Sequence, residues 1–577
     1  MPSINVHNLF FSYTKQPLLR DISFRVGDGE RAFLIGPNGC GKSTLLNIIL
    51  GIITPDSGSV TISDKASINA ALPALMASDA NLSEHSACDC VASANFDTPI
   101  ASPCSSVQDY VDSTFDPIYS LLRHFEQLTS SLTVDPACPS LAKEYDTTLA
   151  ALTAIDAWSL ETRIDETLAG LGLSHLAGSG RKRRLDTLSP GQIGRVELAM
   201  RMIACPSVLI LDEPTNHLDH AAIHFLERQL RNWEGPALIA SHDRAFIEGV
   251  GTVIYDLDIA PWQALSISEG GAAVPGVYRC AGAYSDYLQS KEHAKAEHRR
   301  IHAEQRSLKR DIKQHRRESL DISHGGIRVA TAEGKARKFY SDRAAKTSRG
   351  RTRSDDRRLN DLREREVRKP RGYELDIGLA PVQASSGGIA VAARDAGAVG
   401  RLESLTFDVA YGEHLLVTGG NGSGKSTLLR WIATGRPPHS WGLVTRGSIH
   451  VEGHTAFVPQ TLPAASDIGD DVWSGGIGAV GAIGAGIVHP SLWKTPIGQL
   501  SDGNQRRVQI ALAIATKPEI FIIDEPTNYL DLDTMEALER ALAAWNGTVI
   551  IASHDRWLID HWSGAQLELG GERNGVC

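Results

Sequence analysis

GPNGCGKST at 36–44 returns as GGNGSGKST at 419–427. Both fit G-x-x-x-x-G-K-[ST], both follow a short apolar run (AFLIG at 32–36, LLVTG at 415–419), and both lead into helix-compatible residues, STLLNIIL and STLLRWIA. Glycines without a Cβ let successive backbone N–H groups close around phosphate oxygens, and the N-terminus of the following helix adds a favourable field. The expected cradle is therefore Gly36, Pro37, Asn38, Gly39, Cys40, Gly41, Lys42, Ser43 and Thr44. In the second copy it is Gly419, Gly420, Asn421, Gly422, Ser423, Gly424, Lys425, Ser426 and Thr427. Lys42 and Lys425 would reach the β- and γ-phosphates, and the Ser43 and Ser426 hydroxyls would ligate Mg²⁺. One such match can be an ordinary glycine turn. Two, each between an apolar run and a helix, read as nucleotide-binding loops.

The rest of the chain repeats with them. LSPGQIGRVELA at 188–199 returns as LSDGNQRRVQIA at 500–511, LILDEPTNHLD at 209–219 as FIIDEPTNYLD at 521–531, and LIASHDR at 238–244 as IIASHDR at 550–556. The order is the same both times, so the chain reads as a tandem duplication of one α/β unit. The expected domains are 1–270 and 385–577, joined by a linker at 271–384. Lys42 and Ser189 lie 147 positions apart, whereas Lys425 and Ser501 lie only 76 apart. The first copy thus carries an insertion, placed within about 77–160. YVDSTFDPIYSLLRHFEQLTSSL and LAKEYDTTLAALTAI in that stretch predict two amphipathic helices, a helical arm.

The net charge of −10 hides an asymmetry. Residues 291–371 hold 26 Lys+Arg against 13 Asp+Glu, a local balance of +13 that leaves −23 for the remainder. No proline occurs from 276 to 369, and Tyr287, Ala294, Ile301 and Leu308 recur at seven-residue spacing with Ile312 beside them. This predicts a basic helical hairpin: a long helix over 284–318, a tip at 324–351 and a return helix near 352–369. The alternative is a solvated charged linker, which has no need of an apolar stripe. A basic segment on an acidic body points to a polyanionic partner.

Other features exclude classes. No run of about 18 apolar residues exists to span a membrane. Arg20 and Asp21 interrupt the start before a signal-peptide core can form. Eight scattered cysteines fit reduced thiols in a cytoplasm. Cys88, Cys90 and Cys104 form a loose cluster without metal-site spacing.

LILDE and FIIDE each predict a buried strand ending in two carboxylates, at the strand end where ligands sit in parallel sheets. Asp212 and Asp524 would hold Mg²⁺ through its water shell. Glu213 and Glu525 would polarise an attacking water. His242 and His554 each follow a second apolar strand, a place from which to contact the γ-phosphate. A lone histidine is usually structural, but here it recurs at the same place in both copies.

This set of motifs resembles the ATP-binding cassette ATPases, and the resemblance covers both halves. It implies two cassettes paired head to tail, with each of two ATP molecules between the phosphate loop of one and the signature of the other. Ser189, Gly191 and Gln192 would then serve the ATP on Lys425, and Ser501 and Gly503 the ATP on Lys42. Within that superfamily the chain is most similar to family F: DEPTN-[HY]-LD and SHDR in both halves, an arm in the first cassette, and a basic linker between them. That resemblance implies a monomeric ATPase on the ribosome. Its cassettes would occupy the exit-site region and its linker (285–371) would meet ribosomal RNA and the peptidyl-site tRNA, relieving stalling or antibiotic inhibition. A housekeeping translation factor is the alternative, and the ATPase subunit of a transporter a more distant one. DNA-repair or chromosome ATPases would carry zinc-binding CxxC pairs or hundreds of coiled-coil residues inside a cassette, and the iron–sulphur recycling ATPase would need a cysteine-rich start, where only Cys40 falls within the first 80 residues.

The copies also depart from each other. Gln460 in FVPQ fits the family's metal-contacting glutamine, whereas LPAL in the first copy puts Ala74 there, with Gln108 as a substitute. Tyr13 suits a ring stacked on adenine, and the matching place near Ala396 has none. The second signature has Asn504 where Gln192 stands in the first. Unequal sites are expected, the first retaining nucleotide longer and the second turning over faster.

Overall fold

The apolar runs beside the motifs become parallel strands buried on both faces, as continuous Val/Ile/Leu stretches do when helices cover a sheet. The computed structural model describes residues 2–13, 17–63, 91–95, 106–204, 208–216, 218–269, 274–324, 346, 351–367, 369–370, 388–420, 422–437, 442–478 and 487–570, the side chains at 91–95 and 319–324 excepted. The first half contributes β1 (Ser3–Phe11), β2 (Leu19–Val26), β3 (Arg31–Ile35), β4 (Ser57–Ser63), β5 (Val91–Asn95), β6 (Val208–Asp212), β7 (Ala237–Ala240), β8 (Val253–Asp256) and β9 (Tyr278–Ala281). The second contributes β10 (Ile389–Ala398), β11 (Leu402–Ala410), β12 (His414–Gly419), β13 (Thr445–Val451), β14 (Thr455–Val458), β15 (Ile520–Asp524), β16 (Thr548–Ala552) and β17 (Ala565–Leu569).

Each half builds two sheets. The core sheets run β5-β6-β7-β3-β8-β9 and β14-β15-β16-β12-β17, and small antiparallel sheets run β2-β1-β4 and β11-β10-β13. The strand that ends in the DE pair (β6 or β15) lies one strand away from the strand that feeds the phosphate loop. The strand that feeds the histidine (β7 or β16) lies between the two, so all three motifs emerge at one sheet edge. Phe33, Leu211, Ile239, Ile522 and Ile550 are fully buried, each such side chain contributing about 2 kcal/mol. The expected pair of α/β phosphate-loop domains is present.

The arm is a helical hairpin, Val107–Val134 and Pro139–Ala154, as its amphipathic pattern predicts. Ser106 and Asp109 form a reciprocal cap at its start. Pro117 interrupts the first helix, leaving Phe115 with non-helical backbone. Leu121, Leu152 and Ala157 form its core, with Phe125 stacked on Tyr145 at 4.9 Å.

The chain forms two compact units. One comprises Met1–Leu257, Arg279–Tyr284 and Tyr373–Cys577 and holds both cassettes; the other comprises Asp258–Tyr278 and Ser285–Gly372. The second unit contains the expected hairpin: one helix runs Tyr284–His324 and the return helix spans 351–364. Lys309–Glu366 (2.6 Å), His315–Asp355 (2.8 Å) and Arg316–Asp356 (3.3 Å) join its legs. The helix Ile259–Ser268 joins this unit, with Ala264 packed on Ile301 and Val367. Tyr287, Ala294, Ile301 and Ile312 are buried as the stripe predicts, but Leu308 is 45% exposed. A strict seven-residue spacing drifts about 20° per heptad on a straight helix. By the fourth position Leu308 has turned outward and Ile312 has taken its place. The tip at 325–345 and 347–350 lies outside the described residues.

Candidate functional site

The phosphate loops fold as their glycines require. Gly41 (φ +100°) and Gly424 (φ +99°) precede their helices in left-handed backbone. A Cβ on Gly41 would lie 2.9 Å from the Leu19 side chain, and one on Gly424 would lie 2.3 Å from the Arg401 carbonyl oxygen. Nothing stands within 4 Å of a Cβ added at Gly39, Gly420 or Gly422, so that side of the loop is open. Lys42 Nζ donates to Gly36 O at 3.0 Å, and Lys425 Nζ to Gly419 O at 2.7 Å and Gly420 O at 3.2 Å. Pro37, Cys40, Ser43, Thr44, Ser426 and Thr427 lie in the same loops and first helical turns. Asn421 lies outside the described residues.

Both acidic turns use unusual backbone. Glu213 (φ +46°) and Glu525 (φ +52°) are left-handed without being glycine, a conformation that side chains disfavour and that clusters at functional sites. Each is pinned the same way: Glu213 N–H donates to Ala240 O and Glu525 N–H to Ala552 O, both at 2.8 Å. Each glutamate also accepts from the histidine's own N–H, at 3.3 Å in both halves. The side-chain pairing then differs. His554 Nδ1 meets Glu525 Oε1 at 2.8 Å, whereas His242 Nε2 stands 3.6 Å from Glu213 Oε1. Glu525 holds His554 above the ordinary histidine value against the effect of burial. In the first half burial pushes Glu213 up to about 8, with Lys42 opposing and Asp212 adding, and burial together with Lys42 pushes His242 down to about 3.

The residues expected around Mg²⁺ fit a cation. Asp524 is 2% exposed, hydrogen-bonded to Ser426, and its Oδ1 has no hydrogen-bond partner. Burial raises its pKa and Glu525 adds to this, while Ser426, Arg506 and Lys425 oppose. A buried oxygen left open in this way needs a ligand to satisfy it. Ser423 Oγ, beside Gly419, is also buried and unpartnered. Asp212 ends β6 in the equivalent place.

The halves meet at these motifs. Asn38 in the first phosphate loop donates to Tyr529 O at 2.9 Å, and its N–H donates to Asp531 Oδ2 at 3.3 Å. Gly503 in the second signature packs there too, since a Cβ on it would lie 2.4 Å from Asn38 Nδ2. The reciprocal junction has His220 hydrogen-bonded to the His554 backbone, and burial and the Arg556 charge hold His220 below its ordinary value. Ser189 and Gln192 cap the helix Pro190–Ile203 reciprocally, with Gly191 in its first turn. Asn504 lacks the methylene needed to reach back so far, and donates to Ser501 Oγ at 3.0 Å instead.

Two expected correspondences change. The strand beside β6 is β5, in which Ala94 pairs Leu211 as Val458 pairs Ile523 in the second half. Counting on from these, the position of Gln460 is matched by Phe96 rather than Ala74; both lie outside the described residues. Gln108 sits in the first turn of the arm, bonded to Asp112 at 2.8 Å. The insertion is therefore split, part before β5 and part after it. Likewise Ala396 is fully buried and pairs Leu405, as Leu9 pairs Ile22. Tyr13 lies in the connection between β1 and β2, seven residues long, whose counterpart between β10 and β11 is only 399–401, with Val399 and Gly400 nearest in place. Tyr13 itself is 66% exposed, edge-on to Phe11 at 4.8 Å.

The arginines of SHDR escaped the sequence reading. Arg244 is 1% exposed and crosses to the other cassette, where it meets Glu539 through both terminal nitrogens and Asp555 at 2.9 Å. Arg556 crosses the other way to Glu227 at 2.6 Å. Burial works against the Arg244 charge, but Glu539 and Asp555 raise its pKa above the ordinary arginine value. Their signal was in the sequence: each motif carries the arginine, and Glu227 and Glu539 occupy matching places in the helices His220–Arg231 and Leu532–Ala543. Tyr284 donates to Glu536 at 2.8 Å and stands edge-on to Trp557.

A family profile described as ABC transporter matches residues 19–216, 402–469 and 479–528. The tylosin resistance ATP-binding protein TlrC of Streptomyces fradiae is 28% identical over 99% of this chain and 98% of its own length. The energy-dependent translational throttle protein EttA of Mycobacterium tuberculosis is 27% identical over 94% of this chain and 87% of its own. A solved complex of the archaeal ribosomal stalk protein aP1 with the archaeal ribosome recycling factor aABCE1 shares the fold, with a TM-score of 0.50 at 17% identity over 99% of this chain and 89% of that one. Among the described residues no helix is long and apolar enough to cross a membrane, and no cluster of three or more His, Cys, Asp or Glu could hold a metal. Cys88, Cys90 and Cys104 lie outside the described residues.

Proposed function

The chain belongs to the ATP-binding cassette family, as a twin-cassette member of its F branch, and from that premise we propose that it is a cytoplasmic ATPase of the ribosome. It would occupy the exit-site region, extend its basic linker (285–371) towards the peptidyl-site tRNA, and relieve antibiotic inhibition or stalling. One observation carries the two-site cycle: the first phosphate loop is met, through Asn38, by Tyr529, Asp531 and Gly503 of the second cassette. A nucleotide bound there would be enclosed by both halves, so binding favours closure and hydrolysis releases it. The proposed division is 1–270, 271–384 and 385–577, one chain acting as a monomer.

In each site Lys42 or Lys425 would bind the terminal phosphates. Ser43 with Asp212, and Ser426 with Asp524 and Gln460, would hold Mg²⁺, which supplies charge neutralisation at the phosphates. Glu213 and Glu525 would accept a proton from, or orient, the attacking water, and His242 and His554 would orient those glutamates and face the γ-phosphate. The linker separates this reading from a transporter motor, which has no use for a +13 helical hairpin. Similarity to the translational throttle protein favours a second reading, a housekeeping translation factor.

The test combines two variants. The Glu213→Gln, Glu525→Gln protein should bind ATP, hydrolyse it very slowly and stay on ribosomes, inhibiting growth when expressed. Reversing several of Arg337, Lys338, Arg343, Lys346, Arg349, Arg351 and Arg353 should abolish ribosome co-sedimentation, itself steeply salt-dependent, while ATP binding persists. Unchanged sedimentation removes the ribosome reading of the linker, and normal release of the glutamine variant with ATP present removes the cycle.

A further inference from the structure

Arg506 is fully buried, yet its direct hydrogen bonds go to neutral oxygens. It donates to Asp524 O at 2.8 Å, Glu525 O at 2.9 Å, Gln509 Oε1 at 2.8 Å and to Pro459 O. Burying a guanidinium without a directly bonded carboxylate is costly, and the Asp524 and Glu525 charges offset this only in part. The contacts fall at chosen places. Two fix both carbonyls of the left-handed acidic turn, and a third fixes the carbonyl just before Gln460. Gln509 completes the arrangement from the other side, donating to Thr461 O at 3.0 Å. Gln460 is thus bracketed by two tethered peptide units, tied through one guanidinium to the turn that carries Glu525.

The first cassette lacks both side chains. Gly194 stands in the place of Arg506 and Glu197 in that of Gln509. Glycine offers no side-chain donor, and a carboxylate cannot donate to a carbonyl. Glu197 pairs with Arg201 instead. The lock therefore accompanies the cassette that has the glutamine.

We propose that Arg506, with Gln509, is a positioning residue for ATP hydrolysis at the second site, holding the Glu525 turn and the Gln460 loop in one fixed relation. The inference rests on the reading of Glu525 as the group beside the attacking water. Misplacing such a group by about 1 Å can cost roughly 100-fold in rate while leaving substrate binding intact. The lock should act on the chemical step rather than on affinity, because the phosphate loop and Lys425 lie outside its hydrogen bonds.

The experiment uses the full chain carrying Glu213→Gln, so that the second site alone turns over. Single-turnover ATP hydrolysis and affinity for a fluorescent ATP analogue are measured with Arg506→Met, Arg506→Lys and Gln509→Glu added singly. Arg506→Met should slow hydrolysis about 10- to 100-fold with affinity kept within about threefold. Arg506→Lys, which keeps a donor but loses the fork, should be intermediate, and Gln509→Glu should slow hydrolysis several-fold. Affinity and melting temperature falling together while bound ATP hydrolyses at the parent rate would show a merely structural role and overturn the proposal. If Arg506→Met does not fold, the other two variants decide by the same criterion. The underlying site reading is checked separately: hydrolysis that persists when Glu525→Gln joins Glu213→Gln overturns that reading whatever Arg506 does.

Discussion

Replacing Arg244 by Met should weaken closure of the cassettes more than any other single change between them. The side chain is 1% exposed and is shared by two carboxylates of the opposite half, Glu539 (27% exposed) and Asp555 (12%). Removing one member of a buried ion pair costs about 3–5 kcal/mol, because the remaining charges stay buried and unpaired. Partial exposure of both acids lets water recover some of this, leaving about 2–4 kcal/mol. That corresponds to roughly 30- to 700-fold in the closing equilibrium. Arg556 is 15% exposed and meets a single carboxylate, Glu227, so its loss should matter less. Closure is read by energy transfer between dyes on the two cassettes, titrated with ATP in the Glu213→Gln, Glu525→Gln protein. Arg244→Met should raise the ATP concentration at half-closure by at least about 30-fold, and Arg556→Met by a smaller factor. Adding Glu539→Gln to Arg244→Met should recover part of the loss by removing an unpaired charge. Closure by Arg244→Met at the parent ATP concentration, or a larger effect from Arg556→Met, refutes the reasoning.

Two other predictions follow from the differences between the halves. In single-turnover assays Glu525→Gln should remove most of the fast hydrolysis phase and Glu213→Gln much less, since counting along the sequence from β5 gives the first copy no counterpart of Gln460; equal losses or the reverse order count against unequal sites. Burial raises the Asp531 pKa, but the Arg507 charge and Thr534 outweigh this and hold its carboxyl below the ordinary 3.8. A lowered folded-state value means the stabilisation is complete above that ordinary value and is lost as pH falls through the folded one. Wild type should therefore exceed Asp531→Asn in urea-unfolding stability by a constant margin above about pH 5, and the margin should shrink in stronger acid; a margin that grows in acid contradicts the assignment.

What the sequence displayed was whatever each half specifies for itself. The phosphate loops, the DE-ended strands and the arm are local patterns: glycine spacing, continuous apolar runs, amphipathic periodicity. The residues that were missed or misplaced depend on partners far along the chain. Arg244 reads as a surface charge until Glu539, 295 positions away, covers it. LPAL at 72–75 looks like FVPQ, but which segment becomes the strand is decided by pairing with β6, and β5 wins that contest some twenty residues later. Counting across connections of different length matches Ala396 to Tyr13, although the β10–β11 register pairs it with Leu405 in the core. Leu308 kept its place in the sequence stripe and lost it in space, because helical drift accumulates over heptads.

The same division orders the differences between the two sites. The backbone of the motifs is nearly the same in both: Gly41 and Gly424 lie at φ +100° and +99°, and the acidic turns at φ +46° and +52°, each with its N–H bonded at 2.8 Å to the alanine that ends the neighbouring strand. Such geometry is set by several segments at once, so one substitution cannot shift it without clashes of the kind a Cβ at Gly41 or Gly424 would meet. Side chains that project from that frame are free to differ, and they do. The histidine stands 3.6 Å from its glutamate in one half and 2.8 Å in the other. Gln192 faces Asn504, Gly194 faces Arg506, and Glu197 faces Gln509 in the aligned motifs. The last two of these changes assemble a continuous hydrogen-bonded bracket around Gln460, in the half that has that glutamine. These converge on one loop and one turn of the second cassette, the loop that carries Gln460 and the turn that carries Glu525.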